Sequence, residues 1–392
     1  MKQYKKFVRC IAMLASMVAM LVAVSTPVSQ VAADGIQSPA AAGGEASDMD
    51  VELIPAPTDP DPTPLPPISG PKSPDEGIRL GAPMYNWRYT TNEATWIAEH
   101  LDFVIMEQAG WLNPRLKALN AHMRSINPDI IILVYRPWAE ADRGSPNAVV
   151  KNWLRSVNKY GFDGIFVDMC KSIGTQGQRE YAFFEYAYPF FEAENKLLIP
   201  NLDGAKYNGL DDTWQRIIQV THGGLEEAFV TYCAWIPGHP FQTEARWEWE
   251  VEQLENSGEQ DKYYLAMGQN RGMARKYTIY NAASFLMGKS GTKDFLYSGP
   301  QATYALSEFK ADYERFKHIY TAPIGSPLDG KYKADGVWQR DYSEGRVLVN
   351  PTTNTYTIDL GGTYATVDGA MVSSVTLGAN GAEILLNVVT VL

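Results

Sequence analysis

At 392 residues and a formal charge of −11, the chain has room for one large domain and a smaller one, and its sign argues against phosphate backbones and anionic membranes as partners. Ten Trp and twenty-two Tyr make it unusually aromatic, which suits a well-filled core and also flat platforms for sugar rings. Nucleic acid is therefore not an expected partner.

Residues 1–33 read as an export signal. Lys2, Lys5, Lys6 and Arg9 precede an apolar run from Cys10 to Val24, and Val31-Ala32-Ala33 places small residues at the spacing that signal peptidase prefers. The run falls short of the about 20 apolar residues of a membrane span, and no second span follows. Cleavage before Asp34 is expected, with an uncleaved anchor as the alternative. Without those four cations the charge is about −15, and the mature protein is expected to be a monomer, secreted or held at the cell surface. Residues 34–75 are rich in Ala, Gly, Asp, Thr and above all Pro, a composition that favours extended polyproline II and has too little apolar surface to repay ordering. They form a disordered, semi-rigid linker.

From 76 to 321 strand and helix patterns alternate, as in a parallel sheet with covering helices. The first strand is expected at 78–86 with a helix at 91–100, the second at 103–107 with 115–127, and the third at 130–136 with 147–160. The fourth, Asp163-Gly-Ile-Phe-Val-Asp168, follows Gly161, a C-terminal helix stop, and leads into an aromatic helix at 178–195. The fifth, 197–203, is followed by a helix at 211–220, the sixth, 223–230, by one at 242–255, the seventh, 263–269, by one at 277–287, and the eighth, 295–297, by one at 303–319. Eight such pairs over about 240 residues match a (β/α)8 TIM barrel. A doubly wound open sheet is the alternative, but the first turn, Ala82-Pro-Met-Tyr-Asn-Trp87, lacks the glycine turn that cradles a phosphate. Residues 322–392 change to short alternating runs separated by Asn-Pro, Gly-Gly, Asp-Gly and Asn-Gly, the pattern of a small antiparallel β-sandwich that serves as a packing partner for the barrel.

A barrel carries its chemistry at the C-terminal ends of its strands. Asp163-Gly-Ile-Phe-Val-Asp168 aligns with His222-Gly-Gly-Leu-Glu-Glu227, each offering glycine, bulky apolar residue and acid at alternate positions. Asp168 and Glu227 are thus expected on one rim, with Glu226 turned to the helix layer and Asp163 structural. Which of Glu226 and Glu227 is the acid is left open by spacing alone. Two carboxylates on one rim suit glycoside hydrolysis, one ionised as nucleophile or base and one holding the proton for the departing oxygen. Substrate contacts are expected from Tyr85, Trp87, Glu107, Arg136, Trp138, Asn201, Asp203 and Gln269, with Gln108, Trp111, Trp235 and Asn270 near other strand ends. No His-Glu-x-x-His, spaced Cys/His cluster or Gly-x-Ser-x-Gly occurs, so neither a metal nor another cofactor is expected. Cys170 and Cys233 are expected as free buried thiols.

On Gly161-Phe-Asp-Gly-Ile-Phe-Val-Asp168, Gly223-Gly-Leu-Glu-Glu227 and Val337-Trp-Gln-Arg-Asp-Tyr-Ser-Glu-Gly-Arg-Val-Leu-Val-Asn-Pro351, the chain from Ile78 to Leu392 resembles a family of hypothetical glycoside hydrolases, bacterial secreted barrels with a small C-terminal β-domain. The first motif is also similar to the fourth strand of the α-amylase superfamily, whose final Asp is the nucleophile and which carries Arg where this chain has Phe166. The resemblance implies a glycosidase fold and, for Asp168, the nucleophile's position; with the alternation of the two strands the expectation is Asp168 as nucleophile or base and Glu227 as general acid on a poly- or oligosaccharide, or a different hydrolase with Asp203 in place of one partner. A barrel that binds carbohydrate without cleaving it is the alternative.

Overall fold

The computed structural model describes residues 77–84, 89–106, 114–207, 209, 211–231, 240–270, 274–300 and 306–388. The export signal, the linker, and Tyr85, Trp87, Glu107, Gln108, Trp111, Cys233 and Trp235 lie outside the described residues.

The first part alternates strand and helix. It runs β1 (Gly81–Met84), α1 (Thr91–His100), β2 (Phe103–Met106), α2 (Pro114–Ile126), β3 (Ile131–Pro137), α3 (Trp138–Arg143), α4 (Pro146–Tyr160) and β4 (Gly164–Asp168). It continues with α5 (Gly174–Ala193), β5 (Leu197–Pro200), a 3-10 turn (Asp203–Tyr207), α6 (Thr213–Ile218), β6 (Gly223–Glu227), α7 (Glu244–Glu259), β7 (Tyr263–Asn270), α8 (Arg275–Gly288), β8 (Asp294–Pro300) and α9 (Leu306–Tyr320). Local signals explain several boundaries. Thr90 and Glu93 form a reciprocal capping box on α1, and Gly161 ends α4 in the left-handed region at φ 72°, its N–H on the Val157 carbonyl. The short helix α3 was not expected from the sequence, and the fifth strand stops at Pro200 rather than continuing to Asp203.

β1 to β5 form one parallel sheet in sequence order and β6 to β8 a second. The two meet at both edges. Asn201 bridges Leu225 in parallel, with the Leu202 N–H on the Leu225 carbonyl at 2.8 Å. Leu80 bridges Leu296, with the Leu296 N–H on the Arg79 carbonyl at 2.9 Å. Apart from polar residues near their ends, most in β6 and β7, the strands are apolar on both faces and almost wholly buried, as expected of parallel strands covered by helices. At Gly81 an added Cβ would stand 2.8 Å from Leu265 and 3.1 to 3.2 Å from Phe103 and Phe295, so side chains of three other strands converge closely on it.

The tail is a separate antiparallel six-stranded sheet, made of β9 (Tyr332–Ala334), β10 (Val337–Tyr342), β11 (Gly345–Asn350), β12 (Tyr356–Thr366), β13 (Met371–Leu377) and β14 (Gly381–Asn387) in the order β13-β12-β14-β11-β10-β9. A register shift between Asp359 and Tyr364 divides β12, whose first half pairs with β13 and whose end also pairs with β14. Val347, Val349 and Ile384 join the main core, whereas Val337, Leu348, Ile358, Leu360, Leu377 and Leu385 enclose a second, small one. That arrangement fits the sandwich read from the sequence.

Helix α8 lies between the two parts. Every residue from Thr278 to Gly288 is buried, because β7 and β8 cover one side and β11 and β14 another. Its C-terminal carbonyls find their donors in the tail. Arg340 Nη1 donates to Leu286, Met287 and Lys289 at 3.0, 3.1 and 2.7 Å, and the Tyr342 hydroxyl donates to Leu286 at 2.6 Å. A cation at this end also meets the negative pole of the helix. Arg340→Ala removes a buried charged donor from three carbonyls and is expected to lower unfolding stability by about 3 kcal/mol. Urea unfolding followed by tryptophan fluorescence checks this, and an unchanged midpoint would show the bonds to be idle.

Candidate functional site

Strand pairing fixes which side chains share a face. β3 pairs with β4 as Leu133↔Gly164, Tyr135↔Phe166 and Pro137↔Asp168, and β4 with β5 as Phe166↔Ile199. Asn201 bridges Leu225, and β6 pairs with β7 as Leu225↔Leu265 and Glu227↔Met267. Paired residues of parallel strands point to the same side and alternate along the chain. Tyr135, Asp168, Asn201, Glu227 and Gln269 therefore lie on one face near the C-terminal ends of five consecutive strands. Arg136, Val167 and Glu226 lie on the other.

Asn201 joins the two candidate acids. Its Nδ2 donates to Asp168 Oδ1 and to Glu227 Oε2, each at 2.9 Å. The amide's orientation is set by its other end, because Asn201 Oδ1 accepts the Asp203 backbone N–H at 3.1 Å, and that group can only donate. The two carboxylate oxygens are therefore no farther apart than twice 2.9 Å. Both acids are half-buried, and Asn201 is buried between them.

The chain turns sharply behind each acid. Met169 has φ 64° and Ser172 φ 58° after Asp168, while Ala228 has φ 60° and Val230 φ 49° after Glu227. Left-handed backbone costs a residue with a Cβ on the order of 1–2 kcal/mol, and a β-branched valine there is a marked outlier. Gly204 lets the segments after β4 and β5 touch, since a Cβ there would stand 1.8 Å from the Lys171 carbonyl oxygen.

Glu226 faces the helix layer, as its position predicts. It belongs to a fully buried group with Lys206 and Glu250 of α7. Lys206 Nζ stands 2.5 Å from Glu226 Oε1, 2.6 Å from Asp203 Oδ1 and 3.5 Å from Glu250 Oε1, and it donates to the Glu227 carbonyl at 2.6 Å. Burial lifts the Glu226 carboxyl well above its usual range against the pull of Lys206, and it pushes Glu250 up to about 7. Two buried carboxyls and the half-buried Asp203 share one ammonium, which offsets part of the cost of burying their charge. On the other side Glu180 of α5 is buried beneath the turn after Asp168. Its carboxylate accepts the Lys171 and Ser172 N–H groups, each at 2.8 Å, and Gln176 Nε2 at 2.7 Å.

Other sequence-derived contacts fall elsewhere. Arg136, expected at the substrate, is buried on the helix side of β3 with Nη1 3.3 Å from Glu140, and burial lowers its pKa. Trp138, also expected at the substrate, packs edge-on against Phe183 at 5.6 Å and beside Phe184, in the helix layer. Asp203 is the partner of Lys206. Asn270 lies in a buried network with Thr278, Asn281 and Asp312. Asp163 holds the Ile132 N–H at 2.7 Å and Arg124 at 2.6 Å, a structural role as read. Cys170 is free and buried. Tyr135 was missed. Its half-buried ring stands 6.0 Å from that of Phe166 beneath Asp168, and only the register of β3 on β4 places it there. Among the described residues, no cluster of three or more His, Cys, Asp or Glu is placed to hold a metal ion, and no helix is long and apolar enough to cross a membrane.

The strands and their C-terminal acids define an α/β protein with a polar, two-carboxylate face. No protein-family model matches the chain, and no curated protein sequence matches it. Solved structures do. A chitinase from Chromobacterium violaceum ATCC 12472 is 11% identical with a TM-score of 0.42, over 60% of this chain and 98% of that one. A structure described as a glycoside hydrolase is 11% identical with a TM-score of 0.44, over 79% and 89%. The carboxyl transferase domain of Rhizobium etli pyruvate carboxylase is 12% identical with a TM-score of 0.38, over 70% of this chain and 57% of that chain.

Proposed function

We propose that this protein is a secreted glycoside hydrolase. In this reading the two sheets form one closed (β/α)8 barrel, Asp168 is the nucleophile and Glu227 the general acid. The observation that carries the reading is the single amide nitrogen of Asn201, 2.9 Å from one oxygen of each acid. That keeps the two bonded oxygens within twice 2.9 Å of each other, which favours the shorter carboxyl separation of retaining glycosidases over the wider one of inverting enzymes. Phe166 stands where the α-amylase superfamily carries Arg, and the donor to Asp168 comes instead from neutral Asn201. In the first step Asp168 attacks the anomeric carbon while Glu227 gives its proton to the departing oxygen. In the second, Glu227 takes a proton from water as that water displaces Asp168. The half-buried ring of Tyr135 supplies a face for the sugar, and the buried Gln269 lies on the same side of the strands.

The test is to incubate the protein with a polysaccharide panel, measure new reducing ends, and follow the first product by proton NMR. The product is expected to keep the anomeric configuration of the bond cleaved. Inverted product would overturn the nucleophile assignment. No release across the panel, with glycan binding intact, would favour the non-catalytic carbohydrate-binding protein.

A further inference from the structure

The segments behind the two acids are built alike. Each acid ends its strand, each is followed by two left-handed residues that are not glycine, and each turn is held from beneath by a fully buried glutamate on the next long helix. Under Asp168 this is Glu180 of α5, whose two oxygens take the Lys171 and Ser172 N–H groups. Under Glu227 it is Glu250 of α7. Its Oε2 takes the Val230 N–H at 2.6 Å, while its Oε1 faces Lys206, the residue that grips the Glu227 carbonyl. Left-handed conformations of this kind persist only where the surroundings over-determine them. A carboxylate suits the task because its two oxygens accept several N–H groups in fixed directions, and a helix offers it a rigid base.

We propose that Glu180 and Glu250 are a matched pair of positioning residues, Glu180 setting the aim of Asp168 and Glu250 that of Glu227. Neither touches substrate. The proposal rests on the glycosidase reading, with Asp168 as nucleophile and Glu227 as acid, and it assigns the two clamps different kinetic signatures. Loosening Glu180 weakens nucleophilic attack whatever group departs. Loosening Glu250 weakens proton delivery, which matters only when the departing oxygen needs a proton.

Glu180→Gln and Glu250→Gln keep size and replace one accepting oxygen by a donor that faces N–H groups. Each is assayed as kcat/KM on the glycan found by the panel and on the 2,4-dinitrophenyl glycoside of the same sugar, whose leaving group departs without protonation. Both variants are expected to lose about tenfold or more on the glycan, as a misplacement of well under 1 Å would cause. On the dinitrophenyl glycoside Glu250→Gln should return to within about threefold of wild type, while Glu180→Gln should stay about tenfold or more below it. Glu180→Asp and Glu250→Asp, which keep the charge and shorten the reach, should show the same split and replace a glutamine variant that does not fold. Equal losses on both substrates for Glu250 variants, recovery by Glu180 variants, or no loss on the glycan would overturn the proposal. A merely structural role for Glu250 moves both substrates together, and one for Glu180 raises KM or lowers the melting temperature, whereas a misaimed Asp168 lowers kcat with both unchanged. Asp168→Asn and Glu227→Gln run alongside: undiminished glycan hydrolysis by either shows that the acid assignment has failed rather than the clamps alone.

Discussion

Asp168→Asn is expected to reduce glycan hydrolysis by at least about a thousandfold while the protein stays folded, and Glu227→Gln to do so by about a hundredfold or more. Asparagine has the shape of aspartate but neither its charge nor its power to attack an anomeric carbon. The fold should tolerate the change, since the carboxylate is half-buried and accepts from the neutral Asn201 amide. Glutamine at 227 still accepts from Asn201 but has no proton to give a departing oxygen. Reducing-end release measures both, with melting temperatures recorded alongside. Activity within a few-fold of wild type in either folded variant would sink that residue's role.

Lys206→Met should produce the largest loss of stability, about 3–5 kcal/mol, the usual result of removing one partner from a buried ion pair. The lysine is fully buried with Glu226 and Glu250 around it, so its loss strands two carboxyls in a medium that cannot solvate them. The deficit has a pH dependence of known sign. Glu250 titrates at about 7 when folded against an ordinary 4.5, so between those values the folded state holds more protons than the unfolded one. The stability from that bound proton is full below about 4.5 and is lost as pH rises through about 7. Without the ammonium, ionised forms of Glu226 and Glu250 become costlier still. Thermal melts should therefore show a larger deficit for Lys206→Met at pH 8 than at pH 5. A deficit that does not change with pH would mean that lost packing, not stranded charge, is the cause.

The pairing of the two acids was legible because it depends on local order: acid, bulky apolar residue and glycine at alternate positions repeat in β4 and β6. Alternation likewise turned Glu226 and Asp163 away correctly. Arg136 was misread for a reason of the same kind. A polar residue at a strand's end gives no parity by itself, and the pairing Pro137↔Asp168 shows that Tyr135 and Pro137, not Arg136, share the face of the acids. Trp138 was misplaced because a helix starts at that residue, directly after the strand, and carries the ring outward. The Lys206 group was out of reach, because it joins residues 20 positions apart on the 3-10 turn and β6, and then a helix beyond. Only assembly of the strands brings them together. Asn201 was picked out as a sugar contact, whereas its place between two carboxylates depends on the bridge from the end of β5 to β6.

The grip of Arg340 and Tyr342 on α8 bears on the order in which the molecule can be assembled. The carbonyls at the end of α8 wait for donors that lie 51 to 56 residues later in the chain. Until that later segment has been synthesised and has paired with its neighbours, the wall formed by β7, α8 and β8 lacks both its outer cover and the closure of its helix. A chain halted at residue 321 thus leaves the side of α8 that β11 and β14 cover without that cover. The change of composition at residue 322 marks a change of architecture, but the earlier part becomes finished only when the later part arrives.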